Sequence, residues 1–443
     1  MISGIHMTEK KHKTVVLKFG GTSVATKDTL CNMMKIIEEH KKNRMSIVVS
    51  ALGEARGCEK VTDSLISLRT SDNPEKTLSG LKKRHYDLID ECIRDKKYSD
   101  AAKKEIDRIL SDIRDSMKAK DFPVECFGER MSVQLIRYML MENGFDVSYV
   151  DALKVIHFKN NAPDVDKIKR TAHVIKSDLD AGKITITEGF IADDCGKVVC
   201  MSRGGSDYTA TLIGLGIDAD EVLIYSDRDG IMSADPRVVK SAKTIPEISY
   251  PEAEEMAGHG AKIIYPKILE PLKGRNIPVI IKNTFNPGHK GTTILPKTKN
   301  RGIKCVTSVR QVHTSIYNPA MIGSEGFLAK LFSAVDKDVD VVVSGNPIVG
   351  YTTDDCAKTP EKLKEFGEIR QQIVHTIAIV GEEVEKNPEV LRKISLCLAQ
   401  LDLEIEFMSH DRKSAAIYFG IKENVKTNQL LNMLHKELIE NDA

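Results

Sequence analysis

A lysine, two glycines and two hydroxyl side chains stand together in the stretch 18–24 (KFGGTSV). The β-branched run 14–17 before it predicts a buried strand, and residues 26–40 after it predict a helix. Glycines let a backbone approach a ligand closely, and the N–H groups of such a turn favour an anion. The stretch therefore predicts a phosphate-binding turn, to which Lys18 adds a mobile positive charge. A strand–loop–helix corner with a solvated lysine is the alternative interpretation.

A second double glycine stands at 202–207 (SRGGSD), after a predicted strand at 197–201. Arg203 offers a planar fork that suits a carboxylate or a phosphate, although it could equally form a surface ion pair. Asp207 begins a predicted helix, where it could serve only as an N-terminal cap. Lys262 ends a further glycine-rich loop (GHGAK). Because two Gly-Gly turns, each with a cation, recur in one stretch of chain, a functional interpretation is favoured.

These parts suit phosphoryl transfer, in which positive charge must surround the transferred group while the protein does little covalent work. Lys18 and Lys262 could flank that group, and Asp207 could hold the two lysines in place. A carboxylate acceptor is already ionised at pH 7, so it requires no general base. The sequence offers no compelling Ser-His-Asp or Cys-His arrangement.

The elements that must position these residues alternate between strand and helix over about residues 14–300. This alternation predicts an α/β domain with a mainly parallel sheet flanked by helices. The glycine-rich and acidic loops follow strand ends, where ligands bind in open α/β sheets. Residues 75–120 predict a pair of amphipathic helices, and residues 165–181 predict one helix. Residues 1–13 lack an apolar signal segment and are expected to be a disordered lead-in.

A linker rich in proline, glycine and lysine separates this domain from the tail 303–443. The tail predicts strands at 303–309, 313–318, 339–344, 347–353, 374–380, 403–409 and 414–420, and helices at 326–336, 359–369, 387–401 and 425–437. This order predicts two α+β units, at about 313–372 and 373–443. Two complete units need eight strands, so strand 303–309 is expected to complete the second unit and interlace the two.

Composition excludes several classes of protein. The 443 residues carry a net charge of +1, from 65 basic and 64 acidic side chains. This balance gives no electrostatic footprint for nucleic acid or an anionic membrane. No apolar run reaches the ~18 residues of a membrane helix. Nine scattered cysteines without a C-x-x-C pair predict no metal site and free thiols, as in a reducing cytoplasm.

The motifs, in their order, resemble those of the aspartate kinases, which have the amino-acid kinase fold and a C-terminal pair of ACT domains. The matching segments are KFGGTSV at 18–24, VVSA at 48–51, FGER at 127–130, EGFI at 188–191, SRGGSDYTA at 202–210, DGI at 229–231, DPR at 235–237, GAK at 260–262 and NTFNP at 283–287. Each segment alone is a weak signal, whereas the ordered set is highly specific.

The resemblance implies transfer of the ATP γ-phosphoryl group to the β-carboxylate of L-aspartate, giving 4-phospho-L-aspartate for lysine, threonine and methionine biosynthesis. Lys18, Asp207 and Lys262 would be catalytic. Aspartate would contact Ser50, Thr62, Glu129, Phe190, Arg203, Ser206 and Asp207. ATP would contact Lys18, Gly20, Gly21, Ser226, Asp227, Met232, Arg237 and Lys262, and Mg²⁺ would be carried by the ATP phosphates rather than by a protein metal site.

For the tail, the resemblance implies ACT units that bind an amino-acid effector, as in lysine-inhibited members. The effector is expected to be lysine, with threonine as the alternative. It would contact Met321, Ser324, Gly326, Phe327, Leu328 and Asp340. ACT units commonly pair between chains in this family, so a homodimer or a dimer of dimers is expected. The alternatives are an amino-acid kinase that acts on another carboxylate and a catalytically silent amino-acid sensor.

Overall fold

The computed structural model describes residues 12–441 except 56, 119–121, 203, 259–264, 322–323, 336–338, 346, 355–360, 411–413 and 424–425. The strands are β1 Thr14–Phe19, β2 Arg44–Val49, β3 Val147–Tyr149, β4 His157–Lys159, β5 Ala162–Pro163, β6 Ile184–Glu188, β7 Ile191–Asp194, β8 Lys197–Cys200, β9 Glu221–Ser226, β10 Glu247–Ser249, β11 Val279–Asn283, β12 Thr292–Leu295, β13 Gly302–Tyr317, β14 Val342–Gly345, β15 Ile348–Thr353, β16 Glu368–Glu382, β17 Ile405–His410 and β18 Ala416–Lys422. The α-helices are α1 Lys27–Glu39, α2 Val61–Ser67, α3 Pro74–Cys92, α4 Lys96–Ser116, α5 Phe127–Glu142, α6 Val165–Thr171, α7 His173–Asp180, α8 Gly205–Ile217, α9 Tyr250–Gly258, α10 Phe327–Ala334, α11 Pro388–Leu401 and α12 Thr427–His435.

Contacts divide the chain into two compact units. The first comprises Met1–Gly230 and Lys267–Pro296, and the second comprises Ile231–Pro266 and Lys297–Ala443. The segment 231–266 therefore groups by its contacts with the tail. The limits expected for a catalytic domain, 14–300, and for paired regulatory domains, 303–443, stay predictions.

The first unit is built on a sheet in which β12, β11, β9, β1, β2, β6 and β3 lie side by side. All neighbours from β11 to β3 run parallel, whereas β12 runs antiparallel to β11. Strands of a parallel sheet are covered on both faces, which explains why 15–17 of β1 are completely buried. The predicted mainly parallel α/β architecture is confirmed.

Helices α3 and α4 match the pair predicted over 75–120. Each places an apolar stripe in the core of the first unit, with Leu81 and Ile89 on α3 and Ile106 and Ile113 on α4. The single helix predicted at 165–181 is instead α6 and α7. Thr171, the last residue of α6, donates its hydroxyl to backbone carbonyls one turn back and to Val155. Such bonding bends helices, which accounts for the break.

The second unit contains a six-stranded antiparallel sheet in the order β14-β15-β13-β16-β18-β17. The strands predicted at 303–309 and 313–318 are one continuous strand, β13, which pairs along its length with β16. Val306, near the start of β13, packs in a core with α11 and β18, whereas Ile316, near its end, packs with α10 and β15. A single long strand therefore serves both strand–helix–strand–strand repeats.

The helix predicted at 359–369 is present only as a 3-10 segment, Glu361–Phe366, within the described residues. It ends at Gly367, whose φ of +145° favours glycine. A Cβ on Gly367 would also lie 2.4 Å from the Tyr317 carbonyl oxygen. Among the helices that the structure describes, none is long and apolar enough to cross a membrane.

Candidate active site

Lys18 and Asp207 form an ion pair at the carboxyl edge of the sheet. Lys18 is on β1, between β2 and β9, and its Nζ lies 2.6 Å from Asp207 Oδ1. Both side chains are largely shielded, with exposed fractions of 9% and 15%. Asp207 lies in the first turn of α8, where the helix dipole favours a carboxylate. The fold thus brings together two residues that are 189 positions apart.

The glycine turn after β1 is a short 3-10 helix, Gly21–Val24. The N–H of Gly20 donates to the Tyr225 carbonyl at 3.1 Å, so this backbone donor is already engaged. Gly21 packs against the segment that follows β2, because a Cβ on Gly21 would lie 3.0 Å from the Ala51 carbonyl oxygen. The turn is therefore fixed on both sides by neighbouring strand ends.

A cavity of about 550 Å³ opens beside the Lys18–Asp207 pair. Eight predicted residues line it: Lys18, Gly21, Ser50, Thr62, Glu129, Phe190, Ser206 and Asp207. Thr22 and Ser202, from the two glycine motifs, also line it, and so do four residues for which the sequence predicted no role: Gly53, Glu54, Lys60 and Asp63. Three of these four belong to the charged loop 52–60, and Asp63 lies in the first turn of α2. Gly53 in this loop is the sequence signal of a close backbone approach.

Gly53 is one of the missed residues, and its environment requires glycine. Its N–H donates to the Gly21 carbonyl at 2.9 Å, and a Cβ at this position would lie 2.6 Å from the Gly21 carbonyl carbon. Arg84 on α3 donates to the carbonyls of Gly53 and Glu59. The loop is therefore held against the glycine turn and forms one side of the cavity.

Glu129 is a buried acid on the cavity wall, in the first turn of α5. Its Oε1 accepts the Ala51 N–H at 3.1 Å, whereas its Oε2 has no hydrogen-bond partner among the described residues. Burial raises the pKa of this carboxyl to about 8, and the nearby Glu188 acts in the same direction. A cationic group entering the cavity would provide the missing partner and favour the ionised form.

Phe190 forms part of the opposite wall in a constrained conformation. Its φ is +71°, which is rare for a residue with a side chain, and its N–H donates to Thr209 Oγ1 at 3.1 Å. The preceding Gly189 touches α8 so closely that a Cβ would lie 2.5 Å from Ser206 Cβ. This contact fixes the first turn of α8, and with it Asp207, against the end of β6.

The residues predicted to bind nucleotide belong to both compact units. Ser226 ends β9 beside Asn283 of β11, and Asp227 follows it. Met232 pairs with Thr244 in an isolated bridge, and Arg237 is 86% exposed and paired with Asp235 at 2.7 Å. Met232 and Arg237 belong to the second unit. Lys262 and Arg203, predicted for catalysis and for substrate binding, lie outside the described residues.

The predicted effector residues are found in the second unit, around the turn from β13 into α10. Met321 ends a 3-10 turn, Ser324 Oγ donates to the Ala320 carbonyl at 2.5 Å, and Gly326 has a φ of +71° before α10. Phe327 and Leu328 begin α10.

Asp340 precedes β14, and its carboxylate accepts the side-chain amide of Gln311 from β13. Gln311 is itself almost completely buried and accepts the Thr376 hydroxyl at 2.7 Å. The Asp340 carboxylate is thereby connected to the central strand pair of the sheet.

Comparison with known proteins gives the class of this protein. The amino acid kinase family matches residues 13–283, which is more than half of the chain. The chain therefore belongs to the amino acid kinase family.

Within that family, its relatives include lysine-sensitive aspartokinase 3 of Escherichia coli, at 27% identity over 96% of this chain and 99% of that protein. A bifunctional aspartokinase/homoserine dehydrogenase of Haemophilus influenzae is 26% identical over 96% of this chain, which spans 56% of that longer protein. The solved structure of E. coli aspartokinase III with aspartate and ADP has a TM-score of 0.82 and 26% identity, over 96% of this chain and 100% of that chain. The resemblance to aspartate kinases predicted from the ordered motifs is confirmed.

Proposed function

We propose that the protein is an aspartate kinase that transfers the γ-phosphoryl group of ATP to the β-carboxylate of L-aspartate, giving 4-phospho-L-aspartate. The observation that carries the proposal is the buried Lys18–Asp207 pair in a cavity that also contains the unsatisfied carboxylate oxygen of Glu129. The chain matches a relative named as an aspartokinase over nearly its whole length, which supports aspartate as the substrate. A similar structure solved with aspartate and ADP supports both the substrate and the nucleotide.

In this mechanism Lys18 neutralises the negative charge on the oxygens of the transferred phosphoryl group. Asp207 keeps the ammonium group of Lys18 in place, because an unpaired lysine chain would lose its position in the cavity. The aspartate β-carboxylate is ionised at pH 7 and attacks without a general base. Lys262 is proposed to contact the phosphates as well.

Aspartate is proposed to bind through both of its charged backbone groups. Glu129 accepts the substrate ammonium with its free Oε2, and Arg203 provides a bidentate fork for the α-carboxylate. Ser50, Thr62, Phe190 and Ser206 complete the wall of the cavity. ATP is proposed to contact Gly20, Gly21, Ser226, Asp227, Met232 and Arg237, and Mg²⁺ to be held mainly by the phosphate oxygens, as is usual for nucleotide-bound magnesium.

Feedback inhibition by lysine is proposed to act through the turn into α10 and Asp340. The carboxylate of Asp340 suits an ammonium group. Its hydrogen bond to Gln311, which also contacts Thr376, is proposed to transmit the effect of lysine binding to the central strands. The E. coli relative is named lysine-sensitive. A homodimer or a dimer of dimers is proposed for the assembly, and sedimentation at assay concentrations tests it: a stable monomer would contradict this part.

The deciding experiment incubates purified protein with ATP, Mg²⁺ and aspartate and traps the acyl phosphate as a hydroxamate. Product with aspartate is expected, and parallel reactions contain glutamate or N-acetylglutamate. Product with either of these but none with aspartate would replace the proposal with another kinase of the family. Absence of product with all three, together with binding of lysine, would favour an amino-acid sensor. Titration of the activity with lysine and with threonine identifies the effector.

A further inference from the structure

The segment 283–287 (NTFNP) has no role in the function proposed above, although it follows β11 beside the strand end that carries Ser226. We propose that Phe285 is the surface on which the heteroaromatic base of the nucleotide stacks. This inference rests on the proposed function for the identity of the nucleotide. It places the base at the end of β11, where the function proposed above assigns no nucleotide contact.

The cavity determines on which side of Lys18 the acceptor binds. Its walls come from the end of β2 at Ser50, the end of β6 at Phe190 and the first turn of α8. In the sheet, β2 and β6 lie on one side of β1, and β9 and β11 lie on the other. Attacking and leaving oxygens approach a transferred phosphoryl group roughly in line. The rest of the nucleotide must therefore extend over β9 and β11.

The spacing of the strands indicates how far the nucleotide reaches. Phe19 lies opposite Tyr225, and Ser226 lies opposite Asn283, so the ends of β1, β9 and β11 are neighbours. Adjacent strands are about 4.8 Å apart, which places the end of β11 about 10 Å from β1. Two phosphates and a ribose separate the base from the γ-phosphoryl group. The base consequently falls near the end of β11, where Phe285 is located.

Phe285 is unusually exposed for this edge of the sheet. Its exposed fraction is 53%, whereas Phe19 and Tyr225 on the neighbouring strands are buried and stack on each other with ring centroids 5.1 Å apart. An exposed aromatic ring has a flat apolar face available to a ligand. Stacking on a base would remove both apolar faces from water without requiring a matching hydrogen-bond pattern.

The backbone around Phe285 is held in place before any ligand binds. Its N–H donates to Asn283 Oδ1 at 2.8 Å. The side-chain amides of Asn283 and Asn286 both donate to one oxygen of Asp229, at 2.9 and 3.0 Å. A ring on a fixed loop loses little conformational freedom when it stacks, which favours binding.

The same loop is connected to the phosphate-binding turn. The Thr284 N–H donates to the Ser226 carbonyl at 2.9 Å, and the Thr284 and Ser23 hydroxyls are 2.6 Å apart in the core. The distance between Phe285 and the turn that contains Gly21 is therefore fixed by short contacts. A nucleotide bound at both places would be positioned along its whole length.

The test compares Phe285→Ala with Phe285→Tyr, which keeps the ring, and with Val174→Ala, an exposed apolar residue on α7. Because the stacking contact is lost, the alanine variant is expected to raise the KM for ATP about tenfold. The kcat and the KM for aspartate should stay within about twofold, and the tyrosine and Val174 variants should resemble the unmodified protein. Inorganic triphosphate, which lacks a base, should inhibit the unmodified protein and the alanine variant equally.

A binding measurement separates this inference from the proposed function. The chain contains no tryptophan, so Phe285→Trp introduces a single indole whose fluorescence ADP should change and inorganic triphosphate should not. That result supports stacking even if no acyl phosphate forms with aspartate. An unchanged KM for ATP in the alanine variant, or an equal loss of affinity for ATP and for triphosphate, would overturn the inference, because the ring would then not contact the base.

Discussion

Lys18 Nζ on the first strand lies 2.6 Å from Asp207 Oδ1 on α8, in a place where both side chains are largely shielded from water. An ion pair of this kind fixes the position of a lysine that would otherwise move freely on a four-carbon chain. It also holds the ammonium group beside the cavity in a place largely shielded from water, where a preorganised donor to a phosphoryl oxygen is stronger than in water. The pair is therefore the part of the site on which the proposed chemistry depends most.

Removal of the Lys18 charge is expected to abolish most turnover. Lys18→Met should lower kcat by about 10²- to 10³-fold, the usual cost of removing one preorganised electrostatic contact to a transition state. Lys41→Met, at an exposed lysine paired with Glu38, serves as the control and should retain full activity. The hydroxamate assay under saturating ATP and aspartate measures both. Full turnover in the Lys18 variant would remove this lysine from the mechanism.

Asp207→Asn should lower kcat less than the lysine variant does, because the charge on Lys18 remains but its position is no longer fixed. Residues that act as a unit are strongly non-additive. The double variant should therefore be about as slow as Lys18→Met alone. A double variant slower by the product of the two single losses would mean that Asp207 acts independently of Lys18.

The KM for aspartate is expected to depend on the ionisation of Glu129. Burial raises the pKa of this carboxyl to about 8, so at neutral pH most of the free protein carries it protonated, and only the ionised form can pair with the substrate ammonium. Below pH 8 the ionised fraction falls about tenfold per pH unit. The KM should accordingly decrease as the pH rises towards 8. Initial rates across this range measure the effect. In the Glu129→Gln variant, the KM for aspartate should depend little on pH.

The raised pKa of Glu129 also affects stability: a rising pH is expected to improve aspartate binding but to destabilise the folded protein. The folded protein holds the Glu129 proton more tightly than the unfolded chain, so this stabilising contribution is complete below about pH 4.5 and is lost as the pH rises through about 8. Glu129→Gln removes the cost of burying the charge. Its melting temperature relative to that of the unmodified protein should increase as the pH rises. A difference that is constant with pH would mean that Glu129 is ionised throughout.

Gly189→Ala should destabilise the protein and impair catalysis, because the added Cβ would lie 2.5 Å from Ser206 Cβ and displace the first turn of α8. Overpacking of this kind costs about 1–3 kcal/mol. Gly80→Ala is a matched control, since Gly80 lies within α3 and has open space around it. Alanine there should stabilise the helix by about 0.5–1 kcal/mol. Urea denaturation monitored by circular dichroism measures both changes.

Asp340→Asn should raise the lysine concentration for half-maximal inhibition by about tenfold or more, as expected when one charge-assisted contact of about 1.5–3 kcal/mol is lost. The matched control is Glu361→Gln, whose carboxylate is 82% exposed and pairs with Lys364. The ratio of inhibited to uninhibited rate, measured over a lysine titration, gives the result. An unchanged lysine response in the Asp340 variant would move the effector site elsewhere.

The amino-acid sequence predicts correctly those elements whose pattern is local. The alternation of strands and helices predicted a mainly parallel sheet, and the spacing of apolar residues predicted α3 and α4. Other elements differ from the prediction because contacts between residues far apart in the sequence decide them. Two predicted strands are the single strand β13, because pairing with β16 continues through residues 310–312. The helix predicted at 165–181 is interrupted after Thr171, whose hydroxyl donates to the carbonyl of Lys167 and also to that of the distant Val155, a contact that the local pattern could not indicate.

The sequence by itself determined the types of group available for chemistry: a lysine after a buried strand, two double-glycine turns and an acid at a helix start. It also determined their order, which carries the resemblance to the aspartate kinases. Only the tertiary structure decided which groups meet. Lys18 on β1, Glu129 on α5 and Asp207 on α8 meet at one cavity, and burial there raises the pKa of Glu129. The distances between these groups and the dielectric around them depend on residues far apart in the sequence, so only the folded chain determines them.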